Sequence, residues 1–276
     1  MPPRIEPVQD LADPRLEPYR NLRDRELAQR GGRFLAEGEI VVKRLLAGGG
    51  PVESILVAEN KLDRLAGLVP DSAVIYAGPE SLVNGVIGFK FHSGIMACGI
   101  RPANPSLGAL LPNDPATPAT LVVCPQILNH DNLGQLIRIA AAFGADGMLL
   151  GERCCDPYWR RCVRVSMGTI FSLPILRSED LRRDLEALRE RWGVRLIATV
   201  TDADVLPLED AGRPSGAGQP DRVGLLLGPE DQGLDRQWVA LCDDRVTIRM
   251  GRGTDSLNVA VAAAVFLHHF TANIPR

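Results

Sequence analysis

The sequence predicts an α/β protein in two parts: a small N-terminal α/β domain and a larger C-terminal domain built on a parallel sheet. Three observations predict it. Apolar runs of strand length alternate with helix-length patterns along most of the chain, and strands that are apolar throughout and separated by helices belong to a parallel sheet covered on both faces. Residues 102–119 carry five prolines, Pro102, Pro105, Pro112, Pro115 and Pro118, which neither a regular helix nor a central strand accommodates, so this segment reads as a linker. The 276 residues also exceed what a single core usually organises. The expected domains are 1–101 and 120–276.

In chain order, GEIVVKRLLA at 38–47 has helical periodicity and VESILVA at 52–58 reads as a short apolar strand. A helix near 60–69, a strand at 73–77, a helix near 79–88 and a strand at 94–100 complete the first part. Strands are expected in the second part at 120–124, 147–150, 194–200, 223–227 and 245–250, with helices at 132–143, 158–168, 178–192, 235–242 and 256–270. The stretch PLEDAGRPSGAGQPD at 207–221 is dense in turn formers and reads as a long loop.

Composition narrows the function classes. Hydrophobic residues at 45% and charged residues at 24% are the balance of a globular protein, not of a disordered or fibrous one. No apolar run is long enough to span a membrane, and MPPRIEPVQD lacks the pattern of a secretory signal, so a cytoplasmic protein is expected. The net charge of −3 argues against a surface coated in basic groups. Of 31 basic residues, however, only Lys43, Lys61 and Lys90 are lysine, and arginine suits bidentate phosphate contacts, although a GC-rich genome gives the same bias. The six cysteines have no C-x-x-C spacing and are expected as free thiols. Adjacent His268 and His269 on a helix point about 100° apart, so no metal site is expected.

Three segments place glycines and polar groups just beyond strand ends, where parallel α/β sheets bind ligands. Asn129 to Arg138 follow the 120–124 strand; Asp131 or Asn132 would cap the helix there, and Arg138 interrupts an apolar run. Gly228 to Gly233 follow the 223–227 strand and include Glu230, placed to receive a hydroxyl or an amine. Ile248 to Val259 run from a strand through a glycine loop into a strongly apolar helix, with Ser256 as a natural cap and Asn258 just before the buried stripe. There is no G-x-G-x-x-G after a strand, no G-x-x-x-x-G-K-[ST] and no G-x-S-x-G, so dinucleotide-dependent hydride transfer, ATP hydrolysis and serine hydrolysis lose ground.

In this order, NLGQLIRIAAAFGADG at 132–147, LLLGPEDQGL at 225–234 and IRMGRGTDSLNVAVAAAVFL at 248–267 resemble the signature of the SpoU/TrmH family of RNA ribose 2′-O-methyltransferases. DPYWRRCVRVSMGTIFSLPI at 156–175 is similar to the family's run between its first two motifs. Residues 20–46, with the strand at 92–100, resemble the small RNA-binding domain of many members. The resemblance implies a C-terminal trefoil knot, a homodimer and S-adenosyl-L-methionine as methyl donor. It implies cofactor contacts from Leu227, Gly228, Ile248, Met250 and Leu257, and active-site positions at Asn132, Arg138, Glu230, Ser256 and Asn258. Arg20, Arg23, Arg30, Arg33, Arg160 and Arg164 are the expected contacts to tRNA or rRNA. Arg249 stands where the family usually has proline, which would loosen the cofactor loop. Arg252 stands where it usually has glycine, and would add a phosphate contact or intrude on the pocket. The alternative is a non-catalytic RNA-binding protein acting in ribosome assembly or RNA folding.

Overall fold

The computed structural model describes residues 3–20, 24–29, 31–87, 94–114, 116–212, 221–229 and 232–272. It divides into two compact units: Met1–Ala103 with Asp156–Ser172, and Asn104–Cys155 with Leu173–Arg276.

The first unit holds β1 (Arg4–Pro7), α1 (Asp24–Gln29), β2 (Arg33–Glu37), α2 (Glu39–Ala47), β3 (Val52–Ala58), β4 (Val74–Gly78), α3 (Glu80–Ile87) and β5 (Ile95–Ile100). Its sheet order is β1-β4-β3-β5-β2. The sheet is mixed, with β4 parallel to β1 and β3, and β5 antiparallel to β2 and β3. Sequence reading leaves out β1 and β2, and expects a helix near 60–69 where a 3-10 turn, Glu59–Leu65, stands. β2 had a signal: Gly31, Gly32 and Gly38 all take positive φ and bracket the five-residue strand, a placement that suits glycine because it has no Cβ to clash. The core gathers Leu16, Tyr19, Leu35, Leu56, Val83 and Met96, and the buried Tyr19 hydroxyl finds the Ser54 Oγ at 2.8 Å.

The second unit opens inside the proline-rich segment. Leu110 and Leu111 of that segment are buried in its core, and the fully buried Arg222 guanidinium donates to the carbonyls of Pro112, Asp114 and Thr117. The segment is therefore a strap pinned by Leu110, Leu111 and Arg222, with its other described residues up to Pro118 exposed or half-buried. β6 (Ala119–Cys124), α4 (His130–Ala142) and β7 (Gly147–Leu150) follow.

Residues 156–172, expected within 120–276, pack in the first unit. Their helix α5 (Arg160–Val165) is shorter than the expected 158–168 and is followed by a 3-10 turn at Thr169–Phe171. Phe34 holds the segment, with ring centroids 5.2 Å from Tyr158 and 5.6 Å from Phe171, and Arg101 pairs with Asp156 at 2.6 Å.

The chain then supplies β8 (Ile175–Arg177), α6 (Leu181–Trp192), β9 (Arg195–Val200), β10 (Leu206–Pro207), β11 (Arg222–Leu226), α7 (Arg236–Val239), β12 (Asp244–Thr247) and α8 (Val259–Thr271). All pairs in the seven-stranded sheet are parallel, in the order β10-β12-β9-β11-β6-β7-β8. The sequence expectation of a parallel sheet is met here, while β8 and β10, three and two residues long, were too short to show a period. Leu181, Leu185 and Leu188 at helical spacing on α6 bury against Leu121, Val123, Leu149, Leu196 and Leu226. α4 packs on α8.

Candidate active site

The site grows from strand ends. β9, β11 and β12 run parallel as neighbours, so the segments leaving their carboxyl ends emerge side by side. Between them lies a cleft of about 310 Å³ lined by Thr199 near the end of β9 and Thr201 just beyond it, Leu227, Gly228 and Gln232 after β11, and Ile248, Met250, Asp255, Ser256 and Leu257 after β12. Val259, Ala262 and Phe266 of α8 complete the wall. Every residue expected to touch the cofactor, Leu227, Gly228, Ile248, Met250 and Leu257, lines this one cleft.

Gly228 is there for a steric reason. A Cβ at this position would sit 2.4 Å from the Gly233 carbonyl carbon and from the Leu234 nitrogen, so the chain can fold back on itself only around a glycine. Gly233 answers a different demand, its φ of +65° in open space.

The helix starts differ from expectation. Asn129 caps α4, its Oδ1 accepting from the Asp131 and Asn132 amides at 2.8 and 3.3 Å, so neither Asp131 nor Asn132 is the cap. α8 begins at Val259, not near Ser256, and Asn258 caps it by accepting from Ala260 N–H at 2.9 Å. The mid-helix placement that made Asn258 look costly does not occur, because the residue sits one position before the helix. Its Nδ2 stays free to donate to Asn132 Oδ1 at 3.2 Å. This bond joins the first and third motifs and sets the amino ends of α4 and α8 together.

The remaining expected residues scatter. Arg138 lies on α4, exposed and outside the cleft wall. Six residues beyond Asn132, it stands about 9 Å further along the axis, and it makes no ion pair among the described residues. Glu230, Arg23 and Arg30 lie outside the described residues. Three of the arginines expected on RNA are engaged within the first unit: Arg20 donates to the Asp13 carbonyl, Arg33 pairs with Glu53 at 2.7 Å, and Arg160 lies 3.3 Å from Glu37. Arg164 is exposed. Arg252 does not enter the cleft wall; it is exposed with φ +57°, a left-handed conformation in which glycine would be unstrained.

Burial pushes the Cys98 and Cys242 thiols up to about 12 and Cys154 to about 11, so these three stay protonated near neutrality. No cluster of His, Cys, Asp or Glu that could hold a metal occurs among the described residues, and no helix there is long and apolar enough to cross a membrane. Sequence reading missed Thr199, Thr201, Gln232 and Asp255 in the cleft. The carboxyl end of β9 was the available signal, but only strand order makes it a neighbour of β11 and β12.

A model of the SpoU rRNA Methylase family matches residues 119–268, which contain the whole cleft. The chain belongs to this family. A Mycobacterium bovis protein named as an uncharacterized tRNA/rRNA methyltransferase is 34% identical, over 96% of this chain and 92% of its own. Two solved structures have the same fold. The SpoU methyltransferase AviRb of Streptomyces viridochromogenes in complex with AdoMet aligns with a TM-score of 0.76 and 25% identity, over 94% of this chain and 97% of its own. An RNA 2′-O ribose methyltransferase aligns with a TM-score of 0.74 and 26% identity, over 96% and 98%.

Proposed function

We propose that this SpoU-family chain transfers a methyl group from S-adenosyl-L-methionine to a ribose 2′-hydroxyl of tRNA or rRNA, in the cytoplasm and as a homodimer with a knotted C-terminal domain. The observation that carries the proposal is the convergence of Leu227, Gly228, Ile248, Met250 and Leu257 on one cleft. The AdoMet complex of AviRb and the relatives named for tRNA/rRNA methylation support cofactor and substrate class; the 2′-O neighbour supports the position. The knot rests on the resemblance of the 225–234 and 248–267 segments to the family's motifs. Val261 and Val265, exposed one turn apart on α8, support pairing with a second copy.

The cleft fits the group. Leu227, Ile248, Met250, Leu257 and Phe266 offer apolar walls for an adenine ring, and Gly228 and Pro229 line the same cleft without a polar side chain, which leaves polar edges to backbone groups. The bound cofactor supplies an electrophilic methyl on a sulfonium. What the protein must supply is position and management of the hydroxyl proton. Asn258 and Ser256 orient the ribose, Asn258 being held by its cap and by Asn132. Glu230, next in the chain after Pro229, is the residue the family resemblance assigns to receive a ribose hydroxyl. The role proposed for Arg138 is to hold a phosphate through its planar guanidinium and to stabilise the developing alkoxide. Arg164 and the arginines of residues 20–33 contribute phosphate contacts, so affinity for RNA falls steeply with salt.

The test is transfer of labelled methyl from S-adenosyl-L-methionine to separate tRNA and rRNA pools from cells lacking the gene. Label lost with Arg138→Ala and mapped to a 2′-O-methyl nucleotide is the expected result. Folded protein that binds RNA and leaves both pools unlabelled would favour the non-catalytic RNA binder.

A further inference from the structure

Arg249 sits between two residues of the cleft wall, Ile248 and Met250, and does not itself line the cleft. Its guanidinium lies instead against the segment that begins at β10. There it meets two carboxylates, Glu209 Oε1 at 2.7 Å and Asp210 Oδ2 at 3.8 Å. The carboxylates are anchored. They belong to a segment whose Leu206 and Pro207 pair with Val246 and Thr247 of β12. Its Leu208 and Ala211 are each 5% exposed, and the Ala211 carbonyl accepts from His269 Nε2 of α8 at 2.6 Å. Arg249 thus ties a wall-forming loop, which has no regular structure of its own, to a fixed point.

We infer that Arg249 is a positioning residue: by clasping Glu209 and Asp210 it holds the 248–250 wall in the shape that accepts the cofactor. The inference rests on the proposed function for the identity of that cofactor, but the restraint on the loop does not depend on it. All three side chains are more than half exposed, so the clasp is a modest, salt-sensitive device.

The experiment compares the wild type, Arg249→Glu, and the charge swap Arg249→Glu with Glu209→Arg and Asp210→Arg. Two readouts are taken: amide hydrogen exchange of residues 248–253 without cofactor, and calorimetric affinity for S-adenosyl-L-methionine without RNA. Arg249→Glu should speed exchange and weaken affinity by about three- to tenfold, raising the KM for the cofactor while kcat stays near wild type, and the swap should restore all three. Unchanged exchange and affinity in Arg249→Glu would overturn the clasp, as would a swap that rescues nothing while remaining folded. A wild type that binds no S-adenosyl-L-methionine would refute the cofactor assignment, and exchange alone would then decide the clasp.

Discussion

Asn258 does two things with two atoms, and one substitution separates them. Its Oδ1 caps α8, accepting from Ala260 N–H at 2.9 Å and from Val261 N–H at a marginal 3.4 Å, while its Nδ2 donates to Asn132 Oδ1 at 3.2 Å. Asn258→Ala removes both. One good capping bond at an exposed helix start is worth about 1 kcal/mol, which lowers the melting temperature of a unit this size by about 2–4 °C. Asn258→Asp keeps an acceptor for the cap and adds a charge that the helix amino end favours by about 0.3–1 kcal/mol, so its melting temperature should equal or exceed that of the wild type. The aspartate has no donor, however, and turns an oxygen toward Asn132 Oδ1. Losing that bond and the orientation it gives should lower kcat/KM for methyl transfer about tenfold, equivalent to ~1.4 kcal/mol. Initial rates of labelled methyl transfer at saturating cofactor, with thermal unfolding followed by circular dichroism on the same preparations, measure both effects. An Asp variant with wild-type kcat/KM would refute the reasoning and reduce Asn258 to a cap.

Gly228→Ala should weaken S-adenosyl-L-methionine binding more than tenfold, because the new Cβ displaces the 233–234 backbone at a cost of about 1–3 kcal/mol; Gly233→Ala, strained only by its φ of +65°, should cost about 1–2 kcal/mol and move affinity less, and equal effects in calorimetry would contradict the steric account. Arg222→Met should destabilise the second unit by about 2–4 kcal/mol by leaving the Pro112, Asp114 and Thr117 carbonyls without their donor; urea unfolding midpoints matching wild type would show that the strap does not need it. Burial holds the Glu37 carboxyl above its ordinary value of 4.5, opposed by the nearby charges of Arg160 and Arg164. The folded state then binds more protons than the unfolded one between 4.5 and the raised value, so stability from this residue declines as pH rises through that window. Glu37→Gln should flatten the decline above pH 4.5, and parallel stability curves for variant and wild type would count against it.

The sequence by itself determined the class of fold and the addresses of the site. The runs at 120–124, 147–150 and 223–227 read as buried strands, because every residue in them but Thr120 is apolar or glycine and each run is of strand length; they form strands of an all-parallel sheet in the structure. The residues assigned by resemblance to the cofactor lie in loops whose glycines the sequence displays openly. Short elements were another matter. β8 and β10 hold too few residues to establish a period of two, and α5, α7 and the 59–65 turn hold fewer residues than their helical patterns promised. Caps were misread by a few positions, since Asn, Asp and Ser near a helix start all have the chemistry to cap and only the backbone geometry selects one.

What the tertiary structure decided was proximity. Strand order made β9 a neighbour of β11 and β12, which brought Thr199 and Thr201 at its carboxyl end into the cleft. It set Asn258 against Asn132 across 126 positions, turned the proline-rich segment into core through Leu110 and Arg222, and drew 156–172 out of the second unit into the first. It also gave Arg249 its acidic partners 40 residues earlier in the chain. Hydrophobic burial and hydrogen-bond geometry are read locally from residue type and period. Pairing between distant segments depends on how the sheet is ordered, and that order follows from the packing of the whole unit.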